Sequence, residues 1–188
     1  MGVKGSMDYE AIVVGGGPAG MGAGLFLARA GLTVLLIDGG HSHLHSVSRI
    51  PNFPGLLEEI SGAELLSRMQ SHCELYGARV HKGEITGVRD EGGVFCFETA
   101  NGDKFTAQYV LLATHKNPTV AAQLGLHKDG VFISTDNRGR TSYPKVYAAG
   151  VARGIVPGHA VSSAGDGAFV AVSLVGDMRG ESYKDHTE

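Results

Sequence analysis

The feature that most constrains this chain is a glycine-rich turn between a strand and a helix near its start. An apolar run from Tyr9 to Val14 predicts a buried strand, the turn Gly15-Gly16-Gly17-Pro18-Ala19-Gly20 follows, and a helical pattern of small residues continues to Ala30. The run from Thr33 to Ile37 predicts a second buried strand, which ends at Asp38. Strand, helix and strand in this order form a βαβ crossover, which implies a parallel sheet.

The spacing Gly15-x-Gly17-x-x-Gly20, with an acid at the end of the next strand, is typical of a dinucleotide-binding turn. Gly15 permits the tight turn, Gly17 lets a pyrophosphate approach the backbone, and Gly20 lets the helix pack closely. The helix N-terminus offers free N–H groups to phosphates, and Asp38 is placed to accept hydrogen bonds from ribose hydroxyls. A glycine turn without a ligand would not require that acid. We therefore predict a dinucleotide site, which the turn alone does not assign to FAD or to NAD.

The middle of the chain predicts a helix and a β-meander. Residues 41 to 55 lack periodicity and predict an ordered loop, and Ser61 to Glu64 has the spacing of a capping box. In the helix that follows, one face should carry Leu65, Met69, Cys73 and Tyr76. Three alternating segments lie between residues 80 and 109, separated by turns at 90–93 and 101–103. They predict a three-stranded meander.

The last third of the chain predicts two more strands and a closing helix. Val110 to Thr114 and Lys145 to Gly150 are apolar strands, and a long small-residue segment from His159 to Met178 predicts the helix. The predicted fold class is α/β, with a central parallel sheet plus the meander. We expect a disordered leader at 1–7, a single domain at 8–178 and a loosely ordered tail at 179–188.

Composition excludes several classes of protein. A chain of 188 residues suits one domain, and a formal charge of -3 argues against nucleic acid or an anionic membrane as partner. No run of residues approaches the length of a membrane span. The two cysteines, Cys73 and Cys96, are too few for a disulfide framework and suit a reducing compartment, so we expect a cytoplasmic protein.

Several segments in order resemble the thioredoxin reductase family, and the resemblance runs through nearly the whole chain. They are the turn 15–20, the Asn52-Phe53-Pro54-Gly55 turn, the helix 61–78, the strand 111–114 and the stretch 146–167. More narrowly, the chain is similar to small members of that family that consist of the FAD domain only. The resemblance implies a Rossmann-like FAD-binding domain, and it disfavours NAD(P) in the single site.

The resemblance also implies which residues bind FAD. The turn at Asn52 resembles the one that faces the flavin in the family. Ala113-Thr114 resembles the family's Ala-Thr-Gly motif, and residues 148–150 resemble its second FAD motif. The residues implied to contact the cofactor are Gly15, Gly17, Pro18, Ala19, Gly20, Asp38, Gly39, Gly40, Asn52, Ala113, Thr114, Gly150, Val151, His159 and Ala160.

This sequence departs from the family pattern at three of its motifs. His115 stands where glycine is usual, and Val151 stands where an aspartate normally binds the ribityl chain. We expect weaker FAD retention in consequence, unless Arg153 or a backbone group makes the contact. His159 stands where glutamine is common, at the helix N-terminus that the family presents to the flavin pyrimidine. It either tunes the flavin potential or only caps the helix.

Two elements of the full-length family have no counterpart in this sequence. Between Thr114 and Val131 there is a short connection instead of a second nucleotide-binding domain, and no Cys-x-x-Cys occurs. Thioredoxin reductase activity itself is therefore not expected. Cys73 and Cys96 are expected to be inert core thiols, with a single-cysteine redox role as the alternative.

Three histidines, at positions 41, 43 and 45, alternate along the predicted loop. In an extended segment their rings would share one side, but no carboxylate or cysteine accompanies them. We favour a loop that covers the FAD over a metal site, and predict no metal.

Two functions remain open on the sequence. The first is an FAD-dependent oxidoreductase that takes electrons from an external donor, NAD(P)H or a redox protein, and passes them to an unknown acceptor. The second is a non-enzymatic FAD-binding subunit or sensor with a structural cofactor. A homodimer is expected on the resemblance alone.

Overall fold

A computed structural model describes residues 7–114 and 118–185, which form four helices and nine strands. The helices are α1 Pro18–Arg29, α2 Gly62–Leu75, α3 Thr119–Gln123 and α4 Ala160–Arg179. The strands are β1 Tyr9–Val14, β2 Val34–Asp38, β3 Arg79–Lys82, β4 Ile85–Asp90, β5 Phe95–Thr99, β6 Lys104–Leu112, β7 Lys128–Asp129, β8 Phe132–Ile133 and β9 Val146–Ala148. Short 3-10 turns occupy His43–Ser46 and Gly150–Arg153.

The glycine turn links β1 to α1 as the sequence predicts. Gly15 has a φ of +117°, in the region that favours glycine, and an added Cβ would lie 2.6 Å from the Ala113 carbonyl oxygen. Gly17 is the N-cap of α1 and Pro18 its first residue, a position that suits proline because the missing N–H has no helical partner. The turn therefore stands directly beside the end of β6.

One sheet contains both the parallel strands and the meander. Its order is β3-β2-β1-β6-β5-β4, and β9 also pairs with β6. Five strands are parallel neighbours in the order β3, β2, β1, β6 and β9, while β4, β5 and β6 form the antiparallel meander. The predicted fold class is confirmed.

Strand β6 differs from the prediction because it is one element rather than two. Residues 104–107 pair with β5, and residues 110–112 pair with β9 along the same edge, while β1 pairs along the opposite edge. The alternating pattern that ends at Tyr109 and the apolar run from Val110 are thus two halves of one strand. The pattern changes because the second half is buried on both faces.

The segment predicted as the first strand of the meander is also divided. Residues Arg79–Lys82 form β3, which pairs in parallel with β2 at the edge of the sheet, and only β4 belongs to the meander. The turn between them begins at Gly83. This division matters for the site, because it places the β3–β4 turn next to Asp38, where the Gly83 N–H donates to the Asp38 carbonyl at 3.0 Å.

Two hydrophobic clusters cover the two faces of the sheet. Alternate residues of β1 and β2, such as Val13 and Leu36, face the helices α1, α2 and α4, whereas Ile12 and Leu35 face the meander and the segment containing α3. This alternation follows from the two-residue period of a strand. A strand that is buried on both faces has a continuous run of apolar residues in its sequence, which is the pattern that predicted β1 and β2.

Helices α1 and α4 approach each other at two glycines. A Cβ on Gly22 would overlap the Ala164 carbonyl oxygen, and a Cβ on Gly167 would overlap the Ala19 carbonyl oxygen. Side chains larger than hydrogen would separate the two backbones. The contact therefore fixes where the N-terminus of α4 lies relative to the glycine turn.

Helix α2 begins as its sequence predicts. The Ser61 hydroxyl accepts a hydrogen bond from the Glu64 N–H at 3.1 Å, which caps the helix. Leu65 and Cys73 are buried, but Tyr76 is 41 % exposed, so the predicted apolar face ends one turn earlier than expected.

The two ends of the described chain differ in their contacts. Met7 is exposed, and the rest of the expected leader lies outside the described residues. In the expected tail, Asp185 pairs with Arg29 of α1 at 3.1 Å, and the Arg179 guanidinium lies over the Tyr183 ring. The tail is thus held against α1 as far as Asp185, and residues 186–188 lie outside the described part. Within the described ranges, no helix is long and apolar enough to cross a membrane.

Candidate cofactor-binding site

A cavity of about 330 Å³ opens at the carboxyl ends of the five parallel strands. Its walls come from the residues that end or follow β3, β2, β1, β6 and β9, together with the start of α1 and the segment before α4. The lining residues are Val14, Gly15, Gly16, Gly17, Pro18, Ala19, Ile37, Asp38, Gly39, His41, Ser42, His43, Leu44, Gly83, Glu84, Ile85, Ala113, Thr114, Val151, Ala152, Val156, Gly158 and Ser163. Ligands of open α/β sheets bind at this edge.

Nine of the fifteen residues predicted to bind the cofactor line this cavity, from four separate stretches of the chain. They are Gly15, Gly17, Pro18, Ala19, Asp38, Gly39, Ala113, Thr114 and Val151. The structure therefore brings the glycine turn, the acid at the end of β2, the end of β6 and the segment after β9 together.

The six other predicted residues do not line the cavity. Gly20 is buried in the first turn of α1, where a Cβ would overlap the Gly15 carbonyl oxygen, and Gly40 donates its N–H to Asp38. Gly150 donates its N–H to Asp166 at 2.7 Å. These three residues shape the wall without lining it.

Asn52, His159 and Ala160 do not line the cavity, and His159 and Ala160 form the start of α4. Asn52 is exposed on its turn, while the neighbouring Phe53 packs with Ala160 against the cluster around Ile50. His159 is the N-cap of α4, and its exposed side chain makes no capping hydrogen bond. The sequence thus correctly placed His159 at the start of the helix.

Several lining residues were missed by sequence reasoning. Gly83 and Glu84 form the turn after β3, and Ile85 begins β4; the alternating pattern had assigned all three to the interior of a meander strand. Only the parallel pairing of β3 with β2 reveals that this turn reaches the same edge as Asp38. Gly16, Ser42, Leu44, Val156, Gly158 and Ser163 were also missed, although Gly16 lies within the quoted turn.

The start of α1 is built to receive an anion. Its N-cap is Gly17, which has no side chain to cap the helix, and its first turn carries no acidic residue. The positive end of the helix dipole and the N–H groups of the first turn are therefore not capped by a side chain of the helix itself. A phosphate is the anion that such a turn holds best.

Asp38 provides a buried carboxylate in the cavity wall. It is 4 % exposed; its Oδ1 accepts from the Gly40 N–H at 2.9 Å, and its Oδ2 from the Lys82 ammonium at 2.6 Å. Burial alone would raise the pKa of Asp38, but the bonds from Lys82 and Gly40 and the charges of Lys82 and His45 outweigh it and lower the pKa. The carboxylate is therefore ionised at neutral pH.

The same carboxylate explains why position 16 is glycine. A Cβ on Gly16 would overlap the Asp38 carboxylate. The absence of a side chain at position 16 lets the acid lie against the turn itself, beside the start of α1.

The end of the cavity away from Asp38 has an apolar wall and lies at the positive N-terminus of α4. Val151, Ala152 and Val156 line it, and Gly158 and Ser163 flank the N-terminus of α4. That helix of 20 residues has no acid in its first turn and no side-chain cap. Its positive end favours negative charge on whatever group lies there.

Arg153 is not placed to make the contact that Val151 lacks. Its guanidinium forms an ion pair with Asp166, with side chains only 11 % and 9 % exposed, and it does not line the cavity. The charge of Arg153 is already neutralised by Asp166, so the structure does not favour the suggestion that Arg153 takes the place of the missing aspartate.

Comparison with known proteins assigns the family. The family model described as pyridine nucleotide-disulphide oxidoreductase matches residues 9–114 and 45–167. The chain belongs to this family. Its sequence is 35% identical over 111 residues to thioredoxin reductase of Treponema pallidum, a match that covers 57% of this chain and 35% of that protein.

Two further curated relatives show how much of the family's length is present. Identity is 35% over 123 residues with thioredoxin reductase of Buchnera aphidicola, covering 64% of this chain and 37% of that protein. Identity is also 35% over 107 residues with the bifunctional thioredoxin reductase/thioredoxin of Mycobacterium leprae, a match that covers 56% of this chain and 23% of that protein. This family member thus spans about a quarter to about a third of the length of these relatives.

Solved structures share the fold. A thioredoxin reductase from Gloeobacter violaceus superposes with a TM-score of 0.85 at 18% identity, covering 98% of this chain and 100% of the other. The atypical thioredoxin reductase TRi from Desulfovibrio vulgaris Hildenborough gives a TM-score of 0.79 at 19% identity, covering 92% and 98%.

The cysteines of this oxidoreductase-family chain lie outside the cavity. Both are free thiols. Cys73 is fully buried against the Met21 carbonyl oxygen at 3.1 Å, and burial raises its pKa to about 12, as expected of an inert thiol. Cys96 is half-buried on the outer face of β5, while Phe95 and Phe97 face the core, so its placement in the core was wrong.

The three histidines form part of the cavity loop. His41 and His43 line the cavity, and His45 contributes its charge to Asp38 from the other side. The His41 Nε2 lies 3.7 Å from a carboxylate oxygen of Glu84, which also lines the cavity. Among residues 7–114 and 118–185, no three His, Cys, Asp or Glu side chains are arranged to hold a metal ion. His115 lies outside the described residues.

Proposed function

We propose that this chain binds FAD in the cavity and acts as an oxidoreductase with an external electron donor and acceptor. The observation that carries the proposal is the extent of the cavity. Its wall follows the carboxyl ends of five parallel neighbours, and at about 4.8 Å per spacing these strands extend over about 19 Å. That length suits a dinucleotide, whereas a mononucleotide would occupy only one end.

The residues present fit such a cofactor. The turn at Gly15–Ala19 would hold the pyrophosphate on the uncapped start of α1, and Asp38 would accept hydrogen bonds from the ribose hydroxyls. At the far end, the positive N-terminus of α4 would stabilise negative charge on a reduced flavin ring. Bound FAD would supply hydride and electron transfer, while the protein positions it.

The segment after β9 favours FAD over NAD(P). It is the segment that resembles the family's second FAD motif, and in this structure Val151, Ala152, Val156, Gly158 and Ser163 contribute to the cavity wall. NAD(P) is also a dinucleotide and would span the same edge, so the extent of the cavity does not separate the two cofactors. The resemblance of this segment to the FAD motif is what supports FAD.

An external donor and acceptor suit the connection between β6 and β9. From position 118 to β9 the described chain builds only α3 and the β7–β8 hairpin, and the sequence contains one glycine fingerprint. The two cysteines lie on α2 and β5, apart from the cavity. We therefore propose that NAD(P)H or a redox protein reaches the flavin from solution, as does the acceptor.

The experiment is a visible spectrum followed by an anaerobic reductant screen. Purified protein, and apoprotein mixed with FAD, should show the flavin bands and retain them through gel filtration. NADH, NADPH or a cell extract should bleach the bands, and air or a quinone should restore them.

Each outcome of that experiment decides between functions. Protein that takes up no FAD contradicts the proposal as a whole. FAD that is retained but is reduced only by dithionite, together with a partner that co-purifies, supports the alternative of a non-enzymatic subunit or sensor. A Gly17→Val variant is the control for the site, because its side chain would occupy the approach to the α1 N-terminus.

A further inference from the structure

Lys82 approaches Asp38 from outside the cavity. The two residues are direct partners in the parallel pairing of β3 with β2, so their side chains extend on the same face of the sheet. The Lys82 ammonium lies 2.6 Å from Asp38 Oδ2, with the lysine side chain 61 % exposed and the aspartate 4 % exposed. The lysine remains largely hydrated while it neutralises a buried acid.

Asp38 separates two hollows that differ in character. On one side is the cavity already described, and on the other is a smaller hollow of about 220 Å³ lined by both members of the pair. The remaining residues of this smaller hollow are Gly16, Met21, His45, Ala63, Leu66, Ser67, Gln70 and Ser71. Lys82 lines only the smaller hollow, which leaves the cavity side of Asp38 open to a ligand.

We infer that Lys82 is a positioning residue of the nucleotide site, which holds the Asp38 carboxylate ionised and in place for the ribose hydroxyls of the cofactor. This inference rests on the proposed binding of FAD. Each carboxylate oxygen accepts one hydrogen bond within the protein, and a carboxylate oxygen can accept a second from a ligand hydroxyl. Lys82 therefore acts through Asp38 and not on the cofactor.

Other charged groups near Asp38 leave this role to Lys82. His45 shares the smaller hollow, and His41, His43 and Glu84 line the cavity side. The Lys82 ammonium is the side-chain group that bonds to the Asp38 carboxylate. Without it, burial would favour the protonated acid, which donates a proton from one oxygen instead of accepting at both.

The test is a double-mutant cycle on FAD binding to apoprotein, followed by flavin fluorescence because the chain contains no tryptophan. Lys82→Met should raise the dissociation constant by about tenfold, the size of one charge-assisted hydrogen bond. Lys82→Arg should restore binding, and Lys128→Met, an exposed lysine on β7, should leave it unchanged. In an Asp38→Asn background, Lys82→Met should have no further effect.

The pH dependence separates positioning from a general effect on folding. Lys82 lowers the pKa of Asp38, so the pKa should be higher in Lys82→Met than in wild type. As the pH is lowered, the variant should therefore lose its affinity for FAD at a higher pH than wild type does. In the Asp38→Asn background, the profile should be the same with and without Lys82. The midpoint temperature of thermal unfolding is measured for each apoprotein as a check on folding.

The outcomes distinguish this inference from the proposed function. Wild-type protein that binds FAD while Lys82→Met binds equally well with the same pH profile overturns the role of Lys82 alone. If Lys82→Met lowers the affinity for FAD equally in wild type and in the Asp38→Asn background, the role of Lys82 is also overturned, since Lys82 would then not act through Asp38. Wild-type protein that takes up no FAD contradicts the proposed function, and the inference with it.

Discussion

Arg153 and Asp166 form a bidentate ion pair directly behind the cavity. The guanidinium nitrogens Nε and Nη2 lie 2.9 Å and 2.5 Å from the two carboxylate oxygens. The same carboxylate accepts the Gly150 N–H at 2.7 Å, so α4 is tied to the residue that precedes Val151. The pair thus connects the closing helix to the segment that forms the apolar end of the site.

Removing one member of this pair should destabilise the fold strongly. Asp166→Ala leaves the Arg153 guanidinium largely buried without its partner, and breaking a buried pair costs about 3–5 kcal/mol. The free energy of unfolding in urea measures the loss. The control is Glu59→Ala, which breaks the exposed pair with Arg49 and should cost at most about 1 kcal/mol. Similar losses in both variants would show that the Arg153 pair is not effectively buried.

Two glycines on α4 should respond to alanine in opposite directions. Gly167→Ala places a methyl group against the Ala19 carbonyl and should destabilise the protein by about 1–3 kcal/mol as α1 and α4 separate. Gly165→Ala, on the exposed side of the same helix with open space around it, should stabilise it by about 0.5–1 kcal/mol. Thermal and urea unfolding measure both. Stabilisation by both substitutions would contradict the close contact.

Stability at acid pH should depend on Asp177. The hydrogen bond from Arg140 lowers the pKa of Asp177 most, with a further contribution from the Tyr147 hydroxyl at 2.6 Å, while burial opposes them. A lowered pKa in the folded state means that the stabilisation is complete above the unfolded pKa of about 3.9 and is lost as pH falls through the folded value.

The measurement for Asp177 is unfolding free energy between pH 3 and pH 7 in wild type and in Asp177→Asn. The wild-type advantage should be constant above about pH 5 and should shrink below about pH 4. An advantage that stays unchanged down to pH 3 would mean that folding does not lower the pKa of Asp177.

The glycine turn and its strands could be predicted from the sequence because each signal there is local. Gly15 needs a positive φ next to an apolar strand, and the acid after β2 stands at a fixed place in the βαβ unit. Both constraints act within a few residues of the chain. The same is true of the Ser61 cap and of His159 at the start of α4.

The parts that could not be predicted depend on strand pairing. Alternation between Val80 and Arg89 is the same for a strand at the edge of a parallel sheet and for one in a meander, so β3 and β4 looked like one element. The contact of Lys82 with Asp38, and the presence of Glu84 in the cavity wall, follow only from the register of β3 on β2. Likewise, nothing local shows that Arg153 pairs with Asp166.

The apolar residue at position 151 offers a direct test of how the cofactor is held. Val151 lines the cavity where the resemblance implies an aspartate that binds the ribityl chain. Val151→Asp should therefore tighten FAD binding by about tenfold, since a carboxylate that accepts from a hydroxyl contributes about 1.5–3 kcal/mol. The positive end of α4 nearby favours the added charge. Titration of apoprotein with FAD measures the change.

The control at this position is Val151→Ala, which removes apolar volume without adding an acceptor. It should bind FAD within about twofold of wild type, because the ribityl hydroxyls gain no partner from it. If Val151→Asp binds no more tightly than Val151→Ala, the cofactor's polyol does not pass this wall. The assignment of the segment after β9 to the ribityl chain would then be wrong.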